Sequence, residues 1–90
     1  MYAALVRLTL DPEQAPAAAK ALMSDILPRV RSASSFVAGY WLEPEDDHGF
    51  SVVVFQTEQQ ARKASPPLSS WAAPGIAITG VEFRQVAASA

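Results

Sequence analysis

The chain has 90 residues, no cysteine, and a near-balanced charge of 7 Lys plus Arg against 9 Asp plus Glu. That is room for one domain rather than two. It leaves no disulfide framework, thiolate zinc site, iron–sulfur cluster or thiol nucleophile, and no cationic stripe of the kind that displaces counterions from nucleic acid. No apolar run approaches the roughly 18 residues needed to cross a bilayer. The start, Met1-Tyr2-Ala3-Ala4-Leu5-Val6, lacks the basic leader of a signal peptide, and Arg7 interrupts it. A cytoplasmic protein is the resulting expectation. No redox cofactor is expected either, because the 4 glycines form no phosphate-cradling loop.

Tyr2 to Leu10 is predicted as a strand, ended by Asp11-Pro12. The same dipeptide opens a helix, Asp11 offering an acceptor to orphan amides and Pro12 standing where no donor is needed. Ala15, Ala18, Ala19, Leu22, Met23, Ile26, Leu27 and Val30 then recur at steps of three and four. This stripe predicts an amphipathic helix over Pro12 to Arg31, with Met23 in the core and Pro28 kinking the last turns. Ser32 to Ser35 is a loop. Phe36 to Leu42 and Phe50 to Gln56 are predicted strands, joined through the turn-forming Glu43-Pro44-Glu45-Asp46-Asp47-His48-Gly49. Thr57-Glu58-Gln59-Gln60 has the form of a capping box and opens a second helix that Ser65-Pro66-Pro67 cuts short. One further helical turn is expected over Leu68 to Ala73. Pro74-Gly75 then releases the chain into a last strand, Ile76 to Val86, and a frayed tail.

The order β-α-β-β-α-β across residues 1–90 predicts one α+β domain. Its expected form is a ferredoxin-like sandwich, a four-stranded antiparallel sheet with both helices on one face. The strands, however, are apolar on both sides. Phe50, Val52 and Val54 alternate with Val53 and Phe55; Phe36, Ala38, Tyr40 and Leu42 oppose Val37 and Trp41; Tyr2, Val6 and Leu8 oppose Ala3, Leu5, Arg7 and Thr9. Two short helices cover only one side. The other would expose Leu5, Val37, Trp41, Val53 and Phe55 or their opposites, more than a monomer usually tolerates. A homodimer pairing sheet to sheet is the economical solution.

The stretches Ser35-Phe36-Val37-Ala38-Gly39-Tyr40-Trp41, Phe50-Ser51-Val52-Val53-Val54-Phe55-Gln56-Thr57-Glu58 and Pro74-Gly75-Ile76-Ala77-Ile78, in that element order, resemble the antibiotic-biosynthesis-monooxygenase-like group of dimeric α+β barrels. The resemblance implies two subunits packed sheet to sheet, each with a pocket between helices and sheet. Characterised members of that group are cofactor-free oxygenases of polycyclic quinols and haem-degrading enzymes. The haem-degrading pattern needs an Asn, a Trp and a His ligand in the second helical region; this chain has no Asn, and its single His48 lies in the acidic hairpin. A cofactor-free oxygenase needs a dry pocket, a positive group for an ionised phenolate and aromatic walls.

Arg7 is the cationic candidate, although a cross-strand pair with Glu82 is its plainer role. Tyr40 and Trp41 are candidate walls that point to opposite faces, with core or interface packing as the plainer role of each. Trp71, in an irregular segment, is the foremost candidate for ligand contact, with anchoring of that segment as the plainer role. No Ser, Lys or Asp pairs with a base as an activated nucleophile. Glu43, Glu45, Asp46, Asp47 and His48 match no metal-loop spacing and read as a solvated hairpin tip. Three functions remain open on these residues: binding of a small apolar or aromatic molecule between helices and sheet, a cofactor-independent monooxygenase in the same pocket, and a non-enzymatic assembly module whose pocket Leu22 and Met23 fill.

Overall fold

A computed structural model describes residues 1–64 and 75–90. Four strands, β1 (Tyr2–Leu10), β2 (Phe36–Trp41), β3 (His48–Phe55) and β4 (Ile76–Gln85), form one antiparallel sheet in the order β2-β3-β1-β4. With its helices the order is compatible with a ferredoxin-like fold. β1 is central, and its Ala3, Ala4 and Val6 are buried between neighbours on both sides. Among the described residues no helix is long and apolar enough to cross a membrane.

The helical arm after β1 is continuous but not uniform. It runs through a 3-10 turn (Pro12–Gln14), α1 (Ala15–Ala21), a π turn (Leu22–Ile26) and α2 (Leu27–Arg31). Asp11 caps it as predicted, its Oδ1 accepting the Glu13 N–H at 3.0 Å. The π turn is the structural answer to Pro28. A proline lacks the N–H that would bond the Ser24 carbonyl, and its ring crowds that carbonyl. The turn before it widens, so that the Leu27 N–H donates to the Leu22 carbonyl five residues back. Ser24 adds to the distortion by donating its hydroxyl to the Lys20 carbonyl. The widened turn breaks the apolar stripe: Leu22 and Ile26 face the sheet side, whereas Met23 is 66% exposed. The expectation that Met23 is core is therefore corrected.

The second helix, α3 (Glu58–Ala64), begins at the predicted cap, the Gln60 N–H donating to Thr57 Oγ1 at 3.1 Å. Ala61 of α3 is fully buried against Val53 and Phe55 of β3. This contact fixes the helix side of the sheet. Through the strand register that side also holds Tyr2, Ala4, Val6 and Leu8 of β1 and Val81 and Phe83 of β4. Phe36 meets Phe55 edge to face at 6.1 Å, and the Arg62 guanidinium lies 4.4 Å over the Phe83 ring.

Two bulges decide the faces of the edge strands. In β4, Arg7 pairs with Gly80 but Leu8 with Ile78, leaving Thr79 as an extra residue. Ile76 and Ile78 can then share the helix side with Val81 and Phe83, despite the change from even to odd positions. In β2, Phe36 pairs with Phe55 and Ala38 with Val54, so Val37 is extra. Phe36 consequently joins Gly39 and Trp41 on the helix side, not Ala38 and Tyr40 as strict alternation predicts.

The β2–β3 connection is tighter than the predicted seven-residue loop. Glu45 and His48 exchange both backbone hydrogen bonds, 3.0 and 2.9 Å, around Asp46 (φ 51°) and Asp47 (φ 63°). Two central residues of positive φ are the mark of a type I′ turn, for which Asn-Gly is the favoured pair. The Asp pair leaves the turn strained. The double replacement Asp46→Asn/Asp47→Gly is expected to stabilise the fold by about 0.5–1 kcal/mol. Calorimetric unfolding reads this as a rise in Tm; an unchanged or lower Tm refutes the strain.

Candidate functional site

α3 packs tightly on the sheet through Ala61, but the helical arm stands off from it. Between them lies a cavity of about 350 Å³. Small residues create the space on the helical side, where Ala15, Ala18 and Ala19 form the roof with Leu22 and Ile26. Val6 and Leu8 of β1 and Gly49 and Ser51 of β3 form the floor. At Gly49 a Cβ would lie 2.6 Å from Leu8 Cδ1, so the Leu8 side chain fills the place a larger residue would take. Trp41 closes one end, and Leu42, Glu43 and Pro44 line the mouth where the chain leaves β2.

Trp41 owes its position to Gly39. A Cβ there would sit 2.7 Å from two carbons of the indole six-membered ring, which lies along β2 over the bare glycine backbone. Ser51 is the one buried polar residue among those described, 4% exposed, and its hydroxyl has no hydrogen-bond partner among them. Among the described residues the cavity is therefore apolar, with a single hydroxyl in its floor and a single charged residue, Glu43, at its rim.

The residues singled out from the sequence are dispersed. Trp71 lies outside the described residues. Tyr40 is 64% exposed on the face opposite the helices. Arg7 shares that opposite face, exposed and without an ion pair among the described residues. The expected Arg7–Glu82 pair does not form, because Glu82 lies opposite Leu5 and is held by Arg84 at 2.8 Å. The five residues grouped as a dimer face divide. Trp41, Val53 and Phe55 belong to the helix-side core, Leu5 lies on the opposite face, and Val37 is exposed at its bulge. The open face instead presents Leu5, Phe50, Val52, Val54 and Tyr40, with Ala3 and Ala38 among them.

Sequence reading passed over Ser51, Gly39 and Gly49. The signal for Ser51 was present, a lone hydroxyl among the three valines and two phenylalanines of β3. Among the described residues no group of three or more His, Asp or Glu side chains is arranged to hold a metal. No family model and no curated protein matches this chain.

The close fit of Trp41 on Gly39 has a direct consequence. Gly39→Ala is expected to displace the indole and destabilise the protein by about 1–3 kcal/mol, the usual cost of overpacking. In a Trp71→Phe background the emission of Trp41 reports the move as a red shift; unchanged emission and stability would show that the ring does not depend on the glycine.

Proposed function

We propose that this protein is a small homodimer of the α+β-barrel type that binds a small apolar or aromatic molecule between its helical arm and its sheet. The observation that carries the binding reading is the cavity: about 350 Å³ and, among the described residues, apolar on nearly every wall, with one hydroxyl that has no partner among them to orient a guest. Ligand sites are commonly concave and apolar with few polar groups. The resemblance to antibiotic-biosynthesis-monooxygenase-like barrels supports the same location. The oxygenase chemistry known in that group calls for a cation beside the substrate. Arg7 lies across the sheet from the cavity and Glu43 is the charged group at its rim, so binding is the reading taken forward.

The dimer rests on the open face. Leu5, Phe50, Val52, Val54 and Tyr40 form a contiguous apolar row that no helix of the described residues covers, and burying such a row against its two-fold copy removes it from water.

Each half has its own test. A panel of small aromatic molecules is expected to raise Tm by mass action on the native state. Ala18→Leu, which fills the cavity from its roof, is expected to abolish that rise while Tm without ligand holds or increases. Ligand shifts that survive Ala18→Leu would place binding elsewhere. For assembly, light scattering is expected to return twice the 9.6 kDa chain mass, and Val52→Lys, a charge in the middle of the open face, to return the single mass. A monomer at all concentrations in the unaltered chain defeats the dimer.

A further inference from the structure

The charges of the molecule are sorted by end. Of the 9 acidic residues, Asp25, Glu58 and Glu82 are paired with Arg29, Arg62 and Arg84 at 3.1, 3.1 and 2.8 Å. The others, Asp11, Glu13, Glu43, Glu45, Asp46 and Asp47, have no ion pair among the described residues. The topology gathers all of them at one end of the sheet, where β1 stops, β2 turns into β3 and β4 begins. The Leu10 N–H donates to the Asp47 carbonyl and the Asp11 N–H to the Gly75 carbonyl, both at 2.8 Å, tying that end together.

Part of this charge is opposed: Arg7 and His48, on the open face opposite Gly80 and Thr9, line a surface depression together with Glu45 and Asp46, on the far side of the sheet from the cavity. Lys20 is exposed on α1 and does not line the cavity. Residues 65–74 contain no acidic or basic side chain. Leu42, Glu43 and Pro44 line the cavity at this acidic end, and Ser51 lines it further in, its hydroxyl without a hydrogen-bond partner among the described residues.

We infer that the cavity selects its guest by charge. The guest has an aromatic or aliphatic body and an ammonium or amidinium group that rests at the mouth beside Glu43, while Ser51 can hydrogen-bond one polar atom of the body. Carboxylate-bearing molecules of the same shape are turned away. The inference rests on the cavity reading above and adds to it the sign of the ligand. Its physical basis is the field of several unpaired carboxylates at a cleft with low-dielectric walls, which concentrates cations and repels anions. A cation within a few ångströms of Glu43 gains directly, and both effects weaken as salt rises.

The test uses three probes that share one ring system: naphthylmethylamine, naphthalenemethanol and naphthoate, titrated calorimetrically at neutral pH. The expected order of affinity is amine, then alcohol, then carboxylate, with at least about fivefold between the extremes at low salt. The gap is expected to shrink in about 0.5 M salt. Glu43→Gln is expected to narrow it further by weakening amine binding more than alcohol binding, and circular dichroism checks that the variant is folded. A carboxylate that binds as tightly as the amine, or a gap that Glu43→Gln leaves intact, overturns charge selection alone. Amine binding that persists in Ala18→Leu also overturns it, as ion exchange on the acidic surface. If the neutral alcohol fails to bind at all, the cavity reading falls and the charge selection falls with it.

Discussion

The contact of Ala61 with Val53 and Phe55 is the constraint on which the rest of the molecule depends. An alanine with no exposed surface lets α3 approach the sheet closely over β3, and a larger residue would hold it away. With α3 seated, the helix side of every strand is determined through the ladder register. Tyr2 follows Phe55, Ala4 follows Val53, and Phe83 follows Ala4. Among the described residues the opposite parity of each strand is left without a helical cover, and that is the origin of the apolar face carrying Leu5, Val52 and Val54. Core and open face are two consequences of one packing decision.

The helical layer is uneven for chemical reasons. α3 presents Ala61 to large partners and closes the gap. α1 presents alanines to Val6, Leu8, Gly49 and Ser51, which are mostly small or flat-lying, so neither side fills the space between them. Pro28 enters here indirectly. By forcing the π turn it holds Leu22 and Ile26 toward the sheet and rotates Met23 outward, removing a flexible side chain that would otherwise occupy the gap. Gly39 contributes at the far end, where its missing side chain lets Trp41 lie along the strand as a wall. The cavity is thus the sum of a few omissions of bulk at positions in different elements.

Much of the architecture was legible in the chain. The Asp11-Pro12 cap, the Thr57 cap and the alternating strands are local devices, acting within a few residues, and each appears where the sequence places it. The faces were legible only in part. Alternation separates two sides of a strand but does not say which side a helix covers, and a bulge reverses the parity silently. The change from Ile76 and Ile78 to Val81 and Phe83 was a visible sign of such a reversal, and so was the offset between Phe36 and Trp41. Reading them as unbroken strands placed Phe36 with Tyr40, whereas grouping Val53 and Phe55 with Leu5 missed the register between strands, in which Leu5 faces Val52 and Ala4 faces Val53. Met23 was misplaced for a related reason: an ideal helical repeat carries no allowance for the widened turn before a proline.

Taken alone, the chain determined its elements, their order, the antiparallel α+β class and the excess of apolar surface over what two helices hide, because these follow from local propensity and composition. Tertiary packing decided which parity is core, where the helical arm leaves room, and that Arg7 and Glu43 end on different sides of the molecule. Those outcomes depend on contacts between residues far apart in sequence, such as Ala61 with Phe55 and Gly49 with Leu8. No spacing along a single strand or helix encodes them.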